Sequence, residues 1–222
     1  VLRWAVPTSR LKRMAPERRR RLVDVAANEF ASAGYENASL NRIIDRCGMS
    51  KSSFYYVLSS KAELFDFVVG ELVESVAADI SVPQPEEFRG NVFWQRLEEF
   101  FAQLVDASRQ HENFLTLGRM FYTEAPSAAK AAVNDTLAAV HAWVADVLRV
   151  GRRCKAVRDD LPEGLQIALV FGVLQVFDEW TVAHYEKIPP AELSGLADAQ
   201  FATIRRMLAR GPAGTRRRAS AG

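Results

Sequence analysis

Residues 21–64 read RLVDVAANEFASAGYENASLNRIIDRCGMSKSSFYYVLSSKAEL. Leu22, Val25, Ala26, Phe30 and Ala33 recur three and four apart, which places them on one face of a helix. That helix starts near Pro16, where a first turn tolerates proline, and stops at Gly34, where a left-handed cap is wanted. Ser39 is an N-cap for a short helix carrying Leu40, Ile43, Ile44 and Cys47, and Gly48 ends it. Ser50 caps the next, from Lys51 to about Leu58, and Ser59 or Ser60 caps a longer one with Leu64, Phe67, Val68, Leu72 and Val76. Two short helices about a tight glycine turn are the helix-turn-helix pattern. Leu40, Ile43, Ile44, Met49 and Phe54 supply its inner faces. Ser50, Lys51, Ser52, Ser53, Tyr55 and Tyr56 supply hydrogen-bonding groups where the second helix would enter a major groove.

Charge is distributed to match. Residues 1–63 hold 12 Lys and Arg against 6 Asp and Glu, whereas the remainder holds 17 against 21. Attraction to phosphates acts on the first part and not on the second. The arm from Arg10 to Arg13, with Arg18 to Arg21, is placed to lie along a DNA backbone or enter a minor groove, or else to be a solvated tail.

Beyond Ser81-Val-Pro-Gln-Pro85, helical periodicity continues and no strand pattern appears. Helices are expected over 92–111, 114–124, 128–151, 163–184 and 193–208, the fourth apolar nearly all round and so buried on more than one side. The stretch from Gly211, with Arg216 to Arg218, reads as a disordered tail. The chain of 222 residues is 49% hydrophobic, 25% charged and 10% aromatic, a globular composition. No run approaches the ~18–20 uninterrupted apolar residues of a membrane span, and Val1 to Val6 make a poor secretory signal. Cys47 and Cys154 are isolated, and His111, His141 and His184 lack ligand partners at metal spacing. No metal or cofactor is expected. No nucleophile–base triad, phosphate loop or paired carboxylates stand out, so the chain does not read as an enzyme.

The stretch 21–64 resembles the N-terminal domain of tetracycline-repressor (TetR) family regulators. The resemblance is carried by Arg21-Leu22, Ala26, Phe30, Gly34-Tyr35, Ser39, Ile43, Gly48-Met49-Ser50-Lys51, Tyr55, Ser60-Lys61 and Leu64. Departures are Ile44 and Cys47 for the family's usual Ala, Ser52 for a common Gly, and Val57-Leu58 for an aromatic pair. What the resemblance implies is an all-α chain of about nine helices, with a three-helix DNA-binding domain followed by a helical body for ligand binding and dimerisation. The divisions expected are a basic arm over 1–15, the helix-turn-helix domain over 16–62, the body over 63–210 and the tail over 211–222.

Together the resemblance and the chemistry assign Ser39, Arg42, Ser50, Lys51, Ser52, Ser53, Tyr55, Tyr56 and Lys61 to DNA, with Ser39 and Lys61 near phosphates. In the body, Phe101, Leu104, Phe114, Phe121, Trp143, Phe171 and Phe177 are candidates to line an apolar pocket, with Glu124, His141 and Gln175 as polar anchors. Taken singly, each aromatic reads more readily as core than as pocket lining. The expected function is that of a cytoplasmic, ligand-responsive regulator, a repressor that binds a palindromic DNA operator as a homodimer through its last two helices. A small apolar or aromatic effector would release it, and no membrane is involved. Two rivals remain: a helical ligand-capture protein without DNA affinity, and a helical enzyme whose turnover would survive deletion of residues 1–63.

Overall fold

The computed structural model describes residues 11–111 and 113–210. Among these it has nine α-helices: α1 (Pro16–Asn37), α2 (Leu40–Arg46), α3 (Lys51–Val57), α4 (Lys61–Ala78), α5 (Phe93–Gln110), α6 (Phe114–Tyr122), α7 (Ala131–Arg153), α8 (Glu163–His184) and α9 (Pro190–Leu208). No strand forms among the described residues; one isolated bridge joins Val157 and Ala209. The all-α expectation and the count of about nine helices hold. Residues 1–10 of the expected arm over 1–15, and the expected tail over 211–222 with Arg216 to Arg218, lie outside the described residues. Leu11–Arg13 forms a single 3-10 turn whose Leu11 is buried.

Boundaries follow local chemistry. Ser39, Ser50 and Ser60 each cap the helix that follows, accepting the backbone N–H three residues on. Gly48 adopts φ +64°, which lets the α2–α3 turn close. Gly34, at φ +72° and a non-helical ψ, interrupts α1 where the sequence places a left-handed stop, and a further helical turn follows to Asn37. The extra turn puts Tyr35 into the core, edge-on to Phe65 at 5.5 Å, while Phe30 meets Phe65 edge-on at 5.0 Å.

The chain divides into two compact units. One takes in the chain up to Ser81, with Gln103–His141 and Asp178–Lys187; the other takes in Val82–Ala102, Ala142–Phe177 and the chain from Ile188. The first unit contains all of α1 to α4. Its core joins Leu22, Ala26, Phe30, Ile43, Phe54, Leu64, Phe65 and Val68 to Met120 and Val133. Asp66 on α4 accepts the Ala132 N–H at 2.6 Å, so α7 is capped from a distant helix. Helix α6 is strapped to the end of α8: Tyr122 donates to Asp178 at 2.6 Å, Arg119 pairs with Glu186 at 2.7 Å, and Gly118 lets Val182 approach where a Cβ would be 2.7 Å away.

The second unit packs Phe88, Phe93, Val144, Leu148, Val157, Ile167, Ile204 and Leu208. Two indoles tie its loops: Trp143 donates to the Pro83 carbonyl at 2.8 Å, and Trp94 to that of Ala156 at 3.1 Å. Gly151 is required by space, since a Cβ there would lie 2.5 Å from Val157 and 2.7 Å from the Phe93 ring.

Candidate nucleic-acid interface

Helix α3 has seven residues and buries a single one, Phe54. Lys51, Ser52, Ser53, Tyr55 and Tyr56 are all exposed, Tyr55 to 52% and Tyr56 to 67%. Phe54 anchors the helix, and the opposite face presents one ammonium, hydroxyls and two phenols to solvent. The hydroxyls are organised among themselves. Ser50 Oγ accepts the Ser53 N–H at 3.1 Å and lies 2.8 Å from Ser53 Oγ and 3.0 Å from Ser52 Oγ. The Phe54 ring meets Tyr55 edge-on at 5.3 Å, which steers that phenol.

The α1–α2 corner is built on charge. Lys61 Nζ donates to the carbonyls of Glu36 at 2.9 Å and Ala38 at 3.1 Å, and stands 4.8 Å above the Tyr35 ring. Arg42 Nη2 donates to the Asn37 carbonyl at 3.2 Å. Both cations therefore sit where the last carbonyls of α1 are otherwise unsatisfied. Arg21 does the same for α2, donating to the Arg46 carbonyl at 2.8 Å. The expected DNA contacts Lys61 and Arg42 thus also hold the domain's own backbone.

Sequence reasoning missed one residue of this corner, Glu29. It and Gln166 are the buried polar residues among those described. Glu29 Oε1 accepts the Ser39 N–H at 2.9 Å, Arg42 Nε at 2.9 Å and Arg42 Nη2 at 2.6 Å. The Arg42 hydrogen bond holds the carboxyl below its ordinary range, against the opposing effect of burial. A depressed folded pKa stabilises the fold above the unfolded value, and that contribution is lost as pH falls through the folded one. The missed signal was spacing: Glu29 follows Leu22 by seven and Ala26 by three, which puts it on the apolar face.

The ten candidate ligand residues are not brought together in one unit. Leu104, Phe114, Phe121, Glu124 and His141 belong to the first unit, and Phe101, Trp143, Phe171, Gln175 and Phe177 to the second. Phe121 packs against the core of the first, and Phe177 and Trp143 against that of the second. Phe101 meets Phe201 at 5.6 Å. The polar three, Glu124, His141 and Gln175, are exposed. Two cavities lie elsewhere and are charged: one of about 380 Å³ walled by Arg149, Arg152, Arg153, Asp159 and Glu163, and one of about 630 Å³ whose walls include Arg19, Glu71, Asp79 and His111.

Helix α8 is apolar all round, as expected, but within this chain it is not enclosed. Leu165, Leu169, Val176 and Trp180 are exposed, Val176 to 62%. Their spacings of four, seven and four put them on one face. The helix within Glu163–Lys187 is long and apolar enough, by length and composition only, to cross a membrane, the kind of signal that a core helix of a globular protein also gives. Gln166, Gln175 and Asp178 punctuate the segment, so it holds no uninterrupted apolar run of membrane-spanning length. Gly195, Ala199 and Ala202 form an exposed row of small residues on α9.

Residues 22–68 match the model of a family described as bacterial regulatory proteins, tetR family. Over 55 residues the chain is 36% identical to YdgC of Bacillus subtilis (strain 168), an uncharacterised HTH-type transcriptional regulator; the match covers 25% of this chain and 28% of that relative. The chain thus spans little more than a quarter of the curated relative's length. The ketosteroid transcriptional regulator KstR2 of Mycobacterium tuberculosis superposes with TM-score 0.64 at 20% identity, covering 89% of this chain and 98% of that one. NalD of Pseudomonas aeruginosa, the secondary repressor of the MexAB-OprM multidrug efflux pump, gives 0.62 at 16%, covering 88% and 98%. At such identities the structures speak for the fold alone. A helix-turn-helix matched in sequence to the tetR family of bacterial regulatory proteins over residues 22–68 is thus joined to a helical body that is similar to these regulators in fold.

Proposed function

We propose that this protein is a ligand-responsive transcription regulator, a repressor that binds a palindromic DNA operator as a homodimer and is released by a small, largely apolar or aromatic effector. The observation that carries the reading is α3, which buries Phe54 and turns Lys51, Ser52, Ser53, Tyr55 and Tyr56 to solvent. An exposed row of one cation, hydroxyls and phenols suits both phosphate oxygens and base edges. The positive balance of residues 1–63 supports it, since only that part of the chain is drawn to a polyanion. Such a regulator works in the cytoplasm, where its operator is.

The second copy is the natural cover for the exposed face of α8. Leu165, Leu169, Val176 and Trp180 make an apolar strip too continuous to be scattered surface residues. The small residues of α9 would allow a partner helix to come close. Two copies joined through α8 and α9 would present two α3 helices to half-sites about one helical turn apart. Effector would enter among the body's half-buried aromatics, such as Phe101 and Phe177, and favour a spacing of the two heads that no longer fits successive grooves.

Selection of bound duplexes from a random pool at physiological salt tests this directly. The expected product is an inverted repeat whose half-sites lie about one turn apart. Lys51→Glu should weaken binding to every selected duplex by at least about tenfold and make the salt dependence shallower by about one phosphate contact. A pool that yields no enriched duplex would remove the reading.

A further inference from the structure

The Arg42 guanidinium is exposed yet fastened to a buried carboxylate, whereas the carboxylates that hold the exposed Arg149 and Arg158 are themselves exposed. The Arg42 side chain is 55% exposed, while that of Glu29, which grips it through two N–H groups, is 6% exposed. A third donor, the Ser39 N–H that opens α2, converges on the same carboxylate oxygen. The Asn37 carbonyl takes Arg42 Nη2 from the other side. One buried oxygen on α1 therefore fixes the start of α2 and the orientation of the one arginine on its first turn.

Stability alone is a poor reason for this arrangement. Burying a carboxylate costs much of what its ion pair returns, and apolar replacements of such pairs are often neutral or stabilising. Among the described residues of its unit, Glu29 is the one buried residue that is polar or charged. What an apolar residue at position 29 could not do is hold a guanidinium in one geometry. An exposed arginine loses rotamer freedom when a phosphate immobilises it, and one already fastened loses less.

We infer that Glu29 is a positioning residue for DNA binding, holding Arg42 pre-set beside Ser39 to meet a backbone phosphate. The inference rests on the regulator reading proposed above. Glu29 touches no DNA itself; it acts through Arg42. The carboxyl stays ionised through the neutral range because Arg42 holds its pKa down, so the tether persists under the conditions in which DNA would be bound.

The test uses the full chain and a duplex from the selection. Wild type, Glu29→Leu, Arg42→Ala and the double variant are titrated at several salt concentrations, with thermal melts alongside. Glu29→Leu removes the carboxylate without leaving a buried charge. Glu29→Gln keeps an oxygen for the Ser39 N–H and serves if the Leu variant fails to fold. Each single variant should bind about tenfold more weakly and flatten the plot of log affinity against log salt by about one unit. The double variant should be no weaker than either single one, because one contact is lost in all three. The Arg42 Nε–H resonance should be shifted and protected from exchange in wild type, and lose both features in Glu29→Leu and Glu29→Gln. If the Glu29 variants keep wild-type affinity and slope while Arg42→Ala loses them, Arg42 acts without its tether and the inference fails. It fails too if all four proteins bind alike, although the regulator reading then stands. If wild type retains no duplex at all, both fall together.

Discussion

Phe54→Ala should lower the stability of the folded chain by about 3–5 kcal/mol, the usual cost of emptying a fully buried phenylalanine site, and should abolish operator binding. Phe54 is completely buried, and it is the one buried side chain of α3. The helix is too short to hold its shape by backbone hydrogen bonding, so its attachment depends on that ring and on the Ser50 cap. Removing the ring also removes the edge contact that steers Tyr55. Against a typical total of about 5–15 kcal/mol, the loss would be visible as a large fall in the urea midpoint. Tyr56→Ala is the contrasting variant. Tyr56 is largely exposed, so its stability should stay within about 0.5 kcal/mol of wild type while DNA affinity falls. A Phe54→Ala protein that melts like wild type and still binds its operator would show that α3 is held in some other way.

Val176→Arg should convert a dimer into monomers, read by sedimentation. Val176 lies in the middle of the exposed strip on α8, between Leu169 and Trp180. In a symmetric pair the same face meets itself, so one substitution introduces two like charges into one apolar contact. Neither would find a partner, and each would have to leave water. The consequence for DNA follows from linkage of the two heads. A dimer places its second head at a high effective concentration near the second half-site, an advantage of about 10²–10⁴ over a single head. The variant should therefore bind a full operator hardly better than an isolated half-site, and its melting temperature should lose the dependence on protein concentration that dimerisation would give the wild type. If Val176→Arg stays dimeric, the copies meet through another surface.

The head was the most legible part of the chain, because its instructions are local. Ser39, Ser50 and Ser60 announce helix starts by chemistry that acts within three residues, and Gly48 announces a turn by a backbone angle that a side chain resists. Gly34 interrupts the first helix by its positive φ as the sequence indicates, and what the pattern left out is the further turn to Asn37, which places Tyr35 against Phe65. Glu29 was hidden by its own residue type, since a glutamate in a helix ordinarily faces water. The body was legible as helices and illegible as a site. Aromatic content says that Phe101, Phe121 and Phe177 will be covered, not which of the two units covers each. For α8, uniform apolarity led to an expectation of burial on more than one side, whereas within this chain Leu165, Leu169, Val176 and Trp180 are exposed; pattern cannot tell a neighbour in the same chain from one in another.

The brevity of α2 and α3, seven residues each, has a consequence for how the head comes apart. Segments of that length do not persist once detached. Neither can therefore fray and re-dock as an independent piece; both must melt with the Phe30–Phe65 core that supports them. Amide deuterium uptake should accordingly report one shared opening energy for Ile43, Phe54 and Phe65, a single foldon in place of a ladder of local openings.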